Sequence, residues 1–350
     1  MSEKEKQHYV PKFYLRYFSF KENKKQIGIF NTENHFFIQT AKLKTQAYNP
    51  FFYGKDGSLE EILSFFENSE AKLLNKIIKE NYIPERNSPD HVQLIKFLIL
   101  TQLRNPKSVE YLNQSAKNFS DIISKKSEKY QKLIRKKITN EEAISLSLSV
   151  FESSVLACGD LQLKIIINES EVPFITCDNP LTKYNTYLET KKYFRGTNGF
   201  GNIGLQMFFP LTPNKLLIAY DASCYKIGSS RKQVIISSNL KDIQQLNILH
   251  FLNCNTTVFF NDKISKEIIE NLYTISKKYE KANKVITKEI TNVYKNGVKE
   301  KNSSIILTMT TAAEINLNLS FIKILDKAKY QKIDHSSAQI RPFSEFALNP

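Results

Sequence analysis

Residues 151–180 read FESSVLACGDLQLKIIINESEVPFITCDNP. The period of the pattern changes within this stretch. Up to about Ala157 the apolar residues recur as on a helix that starts near Glu141. From Leu161 to Ile167, and again from Pro173 to Cys177, short apolar runs bounded by turn-forming residues read as strands. The chain before the switch reads mostly as helix, and the chain after it reads largely as strand. The predicted fold class is α+β, a helical N-terminal half packed on a mixed or antiparallel sheet from the second half.

Working upstream, Asn105-Pro106 ends, kinks or restarts a helix that runs from about Asp90 to Arg104. Before the break of Pro84 to Pro89, Asp56-Gly57-Ser58 is a turn, and Ser58 is placed to cap a helix from Leu59 to about Glu80. A strand is expected at Gln26–Asn31. Residues 7–18 read as an extended start followed by a short helix, because Val10 precedes a proline and Pro11 suits a first helical turn.

Working downstream, Gly196, Gly199, Gly201 and Gly204 crowd into what reads as a mobile loop near a site. Strands are expected at Gln206–Phe209, Lys215–Tyr220, Gln233–Ser237 and Thr256–Phe260, with helices from about Leu240 to Phe251 and from Lys263 to about Tyr279. Ile315, Leu317, Leu319 and Phe321 alternate with polar residues as in a half-buried strand. The expected organisation is a composite α+β core over 1–280 and a β-rich extension over 281–350.

The 350 residues are 41% hydrophobic and 24% charged, which excludes a disordered chain, a collagen and a coiled-coil rod. MSEKEKQ has no apolar stretch behind a basic head, and no run approaches the ~20 apolar residues of a membrane span. The four cysteines (Cys158, Cys177, Cys224, Cys254) form no CxxC pair. They read as buried thiols, and a cytoplasmic location is expected. An excess of 15 positive charges suits nucleic acid or an anionic membrane surface as partner, the latter through Lys125, Lys129, Lys132 and Lys136 on a helix over Ser124–Lys137. Against this, only seven of the 50 basic residues are arginine, and arginine is the better reader of phosphates.

QHYVPKFYLRYF, FFYGKDGSLEEILSFFENSEAKLL, TQLRNP, ITCDNP and FFPLTP, in that order, resemble the blocks of the bacterial family called domain of unknown function 4238, over roughly residues 7–260. The resemblance implies no established activity. It implies a cytoplasmic bacterial setting, with some members linked to defence against phage. The motif positions fall on His8, Arg16, Glu67, Gln102, Arg104, Asp178, Asn179 and Asn247.

These are polar residues where apolar ones belong. Glu67 shares a helical face with Leu63, Ala71, Leu74 and Ile78. Gln102 and Arg104 come after the apolar run Phe97–Leu100. A buried carboxylate must be paired, coordinated or protonated, and a buried guanidinium needs an acid, with Glu67 or Asp178 as candidates. Two arrangements meet these demands. In the first, Glu67 and Asp178 hold Mg²⁺ or Mn²⁺ and His8 serves as general base or third ligand. Lys12 and Arg16, four apart, hold a phosphate, and Arg104 neutralises developing charge, with Gln102, Asn179 and Asn247 binding alongside. That describes a metal-dependent nuclease or phosphodiesterase acting as a defence effector. In the second, Glu67, Gln102, Arg104 and Asp178 form a buried structural network inside a non-catalytic interaction or effector module that engages another defence protein.

Overall fold

The computed structural model describes residues 5–125, 138–193, 196–282, 284–291, 294–295, 298–299, 304–335 and 337–348. Two sheets carry the architecture. The larger has five strands in the order Val234–Ser237, Gln162–Asn168, Lys215–Tyr220, Gln206–Thr212, Thr182–Tyr184. Its first pair is parallel and the others antiparallel. The smaller is antiparallel, in the order Phe37–Lys42, Gln26–Asn31, Thr257–Phe260, Thr176–Cys177.

The α+β class holds, and its distribution along the chain needs correcting. Two strands of the smaller sheet come from the N-terminal region, and the helices Leu240–Asn253 and Lys266–Ser276 lie in the second half. The smaller sheet therefore joins the two ends of the core. A close approach makes the joint. Gly28 stands opposite Phe260, and a Cβ on Gly28 would meet the Phe260 ring at 2.3 Å.

Both faces of the larger sheet are covered. Leu163, Ile165, Leu217 and Ala219 pack with Leu94, Phe97 and Leu98 of the helix Pro89–Leu103. Their strand neighbours Ile166, Leu216 and Ile218 pack with Ile243, Leu246 and Leu249 of the helix Leu240–Asn253. Burial on two faces explains why Gln206–Thr212 is buried at every position rather than at alternate ones.

The expected long helix over 141–157 is two helices, Asn140–Ser149 and Phe151–Ala157, the first opened by a capping box between Thr139 and Glu142. Ile315, Leu317 and Leu319 are buried in alternation as expected and Phe321 is half-buried, yet they form no strand. The amides of Ile315 and Leu317 donate to the Tyr184 hydroxyl, that of Asn316 to Glu189 and that of Asn318 to Gln245. Apolar alternation reports an extended backbone, and here side chains supply the acceptors that a neighbouring strand would. These residues enter the same core as the larger sheet.

Most of the basic helix expected over Ser124–Lys137 lies outside the described residues. The glycine loop is pinned from several sides. Asn185 donates to the carbonyls of Thr197 and Ile203, Asp221 accepts from Gly204, and the buried Arg341, paired with Asp160 at 3.0 Å, donates to the carbonyls of Phe200 and Asn202. Gly204 has φ 74° and a Cβ there would meet Asn185 at 2.7 Å, so glycine is required.

Candidate functional site

The N-terminal motif seats itself on both sheets. Lys6–His8 pairs with Tyr48–Pro50, Pro11 opens the short helix Lys12–Leu15, and the chain tightens into a 3₁₀ turn over Arg16–Phe18. Tyr14 is fully buried. Its hydroxyl lies 2.6 Å from Thr176 Oγ1 and donates to the Pro210 carbonyl at 2.7 Å, which ties the motif to one strand of each sheet. Arg16 closes the short helix with its amide on the Lys12 carbonyl, one α-helical turn on from Lys12, and its side chain is exposed. The four-residue helical spacing behind the expected phosphate clamp of Lys12 and Arg16 is kept.

His8 is buried. Burial first, and the nearby Lys12 charge second, lower its pKa to about 4. It is therefore neutral at pH 7, and its Nε2 has no hydrogen-bond partner among the described residues. Gln7, beside it, reaches Gly54 with its amide nitrogen and accepts from the Tyr53 amide. This positions the Tyr53 hydroxyl 3.4 Å from the His8 carbonyl and 3.2 Å from the Arg104 carbonyl.

Arg104 closes the helix Pro89–Leu103 and Asn105 caps the next one, Pro106–Ser124. Arg104 is 1% exposed and its Nη1 donates to Glu67 Oε1 at 2.9 Å, while its Nε is buried without a partner among the described residues. Glu67 is thus the acid that Arg104 requires. The expected face of the Ser58–Glu80 helix is rotated, however. Its buried residues are Leu63, Glu70, Leu73, Leu74 and Ile77, the Glu67 side chain keeps 27% of its exposure, and the deeply buried acid is Glu70. Burial pushes the Glu70 carboxyl up to about 7, against the pull of Arg104.

Asp178 stands at the end of the short strand Thr176–Cys177. Its Oδ1 accepts from the Asn255 amide at 2.7 Å. Its Oδ2 accepts from the amides of Thr256 and Thr257 at 2.8 and 2.9 Å and from the Thr256 hydroxyl at 3.2 Å. Burial raises this carboxyl, and the three amides pull the other way. The Asn105 side chain connects the centre: its oxygen caps the helix at the Lys107 amide and its nitrogen donates to the Asp178 carbonyl. Lys107, also buried, donates to the Asn253 carbonyl at 2.8 Å, which also accepts from Asn179. Asn253 returns two bonds, to the carbonyls of Asn179 and Leu181.

The sequence-derived residues therefore divide. His8, Glu67, Arg104, Asp178 and Asn179 belong to one connected polar centre, with Lys12 at its edge beside His8. Glu67 and Asp178, expected to share a cation, are engaged separately, one by a guanidinium and the other by backbone amides. Among the described residues no group of three or more His, Cys, Asp or Glu side chains could hold a metal ion. Gln102 is buried and its carbonyl accepts from Ser108. Asn247 is not part of the centre: its amide is spent on the backbone of Pro173 and Ile175. Tyr53, Glu70, Asn105, Lys107 and Asn253 are members that the sequence pattern does not point to. Tyr53 and Glu70 lie inside the block FFYGKDGSLEEILSFFENSEAKLL and Asn105 inside TQLRNP, and of the three Asn105 alone stands out, as helix punctuation.

Of the three buried histidines, His8 and His250 show the largest shifts, and their pH signature is opposite to that of Glu70. His8, and His250 lowered by burial to about 3, have folded values below the ordinary ~6.5. The unfolded chain takes up their protons first, so their contribution to stability is lost as pH falls from about 6.5 towards 4. Glu70 is raised, so the native state binds the extra proton and stability falls as pH rises from about 4.5 to 7. Glu70→Gln is expected to stabilise the protein at pH 8 by about 2 kcal/mol in urea titrations, with the gain vanishing near pH 4.5. A variant less stable than the parent at pH 8 would show that the Glu70 charge is held favourably.

Helices on both faces of a mixed sheet, with one polar centre where the N-terminal motif, two helix ends and the Asp178 turn meet, define an α+β protein organised around buried polar contacts. This chain belongs to the family described as Protein of unknown function (DUF4238), whose model matches residues 6–264. No curated protein and no solved structure matches it. Among the described residues no helix is long and apolar enough to cross a membrane.

Proposed function

We propose that the polar centre is an organising network and that the chain acts as a non-catalytic interaction or effector module. One observation carries this reading: the Asp178 carboxylate, 1% exposed, has both oxygens engaged by the 255–257 backbone. An acid so held is a fixed acceptor for a turn, and such networks specify arrangement more than they stabilise. Glu67, the second acid of the nuclease reading, is engaged by Arg104. The excess of 15 positive charges suits an acidic partner surface, either nucleic acid held without cleavage or another protein. The family resemblance adds a cytoplasmic setting in antiphage defence to the same proposal.

The test is incubation of purified protein with DNA, RNA and nucleotides across Mg²⁺, Mn²⁺ and chelator. No cleavage above buffer is expected under any condition. Metal-dependent cleavage that disappears in Glu67→Gln and Asp178→Asn variants of unchanged melting temperature would establish the metal-dependent nuclease instead.

A further inference from the structure

Away from the polar centre, a short ribbon of sheet has an open edge. The strands Tyr225–Ile227 and Ile322–Ile324 pair antiparallel, with Lys226 directly opposite Lys323. Two bonds fix which way the backbone points. The Leu325 amide donates to the Cys224 carbonyl and the Gly228 amide to the Phe321 carbonyl, both at 2.8 Å. In an antiparallel pair, successive residues face the partner strand alternately. Phe321, Lys323 and Leu325 therefore turn their backbone groups towards Tyr225–Ile227, and Ile322 and Ile324 turn theirs away. The Ile322 amide closes a turn onto the Leu319 carbonyl at 3.0 Å. The Ile324 N–H and the carbonyls of Ile322 and Ile324 have no partner among the described residues.

This edge borders a cavity of about 600 Å³. The extended segment 316–319 and the short helix Thr186–Thr190 also line it. Ile322, Lys323 and Ile324 all contribute to the lining, as consecutive residues do at a strand's edge and not on one of its faces. Alternation then sorts the side chains. Ile322 and Ile324 are half-buried and pack on the core that contains Leu317 and Leu319. Lys226 and Lys323 are exposed on the opposite face. A strand laid along the open edge follows the same pleat, so every second side chain lies level with the isoleucines and the others lie level with Lys323.

Charge settles what the second set must be. Like charges directly opposite in a ladder repel, and neither Lys226 nor Lys323 has an acid partner among the described residues. Lys329 lines the same cavity and is also exposed. The single acid of the lining is Glu189, and both its oxygens are engaged, one by the Tyr184 hydroxyl at 2.6 Å and the other by the Asn316 amide at 3.0 Å. One lysine on an edge strand guards it against indiscriminate pairing. Two lysines facing each other add a repulsion that a partner's carboxylates relieve.

We infer that this edge binds an extended acidic peptide as a third strand along Ile322–Ile324, with apolar residues level with the isoleucines and carboxylates beside Lys323. Main-chain bonds hold such a strand and alternate side chains select it. The inference goes beyond the reading given to the polar centre and stands whichever way that reading falls.

The test titrates the full chain into fluorescein-labelled hexapeptides, Val-Glu-Val-Glu-Val-Glu and Val-Lys-Val-Lys-Val-Lys, and follows anisotropy. The acidic peptide should bind with millimolar or tighter half-saturation, more weakly as salt rises, and the basic one should not bind. Ladder bonds use only alternate amides of an added strand. Two further acidic peptides, one N-methylated at its valines and the other at its glutamates, should therefore differ: one loses about tenfold or more in affinity and the other keeps it. Lys323→Glu places a carboxylate opposite Lys226, so this variant should melt no lower than the parent. It should weaken the acidic peptide about tenfold and admit the basic one. No binding of the acidic peptide at millimolar concentration, or binding unchanged in Lys323→Glu, would overturn the site. Equal effects of the two methylation patterns would overturn strand addition.

Discussion

Arg104→Ala is expected to lower the stability of the protein by about 3–5 kcal/mol near pH 7.5, the range for breaking a buried ion pair from one side. The guanidinium is 1% exposed and sits 2.9 Å from Glu67, and its charge is also the one that holds the buried Glu70 down. Truncation leaves two carboxyl groups without a counter-charge. The Glu67 side chain retains 27% exposure, so water replaces part of what it loses and the effect should fall in the lower half of that range. The pH dependence separates charge from packing. Without Arg104 the folded Glu70 carboxyl rises further, the native state binds more protons than the unfolded chain, and the stability deficit shrinks as pH is lowered towards 5. Arg104→Met restores much of the side-chain volume without charge and should show the same pH dependence. Urea titrations of the three proteins at pH 5 and 7.5 make the comparison. An Arg104→Ala protein within about 1 kcal/mol of the parent at pH 7.5 would mean that the pair is no more than a surface ion pair in effect.

The centre is legible in the sequence where a residue type contradicts its surroundings. Arg104 after Phe97–Leu100 and Asp178 after the strand-like Pro173–Cys177 are such contradictions, and both side chains are buried and partnered. For Glu67 the apolar pattern turns the helix too far. Glu67 and Glu70 are three residues apart, and periodicity alone does not say which of two adjacent stripes faces the core, because Ile62, Phe65 and Phe66 stay exposed although they are among the most apolar residues of that helix. Tyr53, Lys107 and Asn253 cannot be found this way. They act through backbone carbonyls, and which carbonyl lies beside which side chain is set by tertiary structure. The same limit applies to the sheets. Phe37–Lys42 and Thr182–Tyr184 carry no strong alternation, and their strand character comes from the neighbours they pair with. Asn247 misleads for the opposite reason: a polar residue on an apolar face is equally well explained by a pair of backbone groups that need a partner, and Pro173 and Ile175 supply them.

Asp178 gives the sharper discrimination between the two readings of the centre, because they predict opposite signs. A carboxylate kept for a cation is strained without it, so neutralising that carboxylate relieves repulsion and leaves the metal-free protein as stable as before or more so. A carboxylate kept as an acceptor for three amides behaves differently. Asp178→Ala leaves the amides of Asn255, Thr256 and Thr257 without their acceptor, at about 1–3 kcal/mol for each buried unsatisfied group. Residues 255–257 are half-buried, so water recovers some of the loss, and the expected net destabilisation is on the order of 4 kcal/mol. Asp178→Asn should fall between the alanine variant and the parent, because its carbonyl oxygen can serve one side of the turn while its NH₂ faces donors on the other. Hydrogen exchange localises the effect. The 255–257 amides should lose protection in both variants before the core of the larger sheet does, since the contact between Asp178 N and the Thr257 carbonyl survives truncation and anchors only one point of the turn. An Asp178→Asn protein more stable than the parent in the presence of chelator, with protection at 255–257 unchanged, would return Asp178 to the role of a cation ligand and remove the observation on which the non-catalytic reading rests.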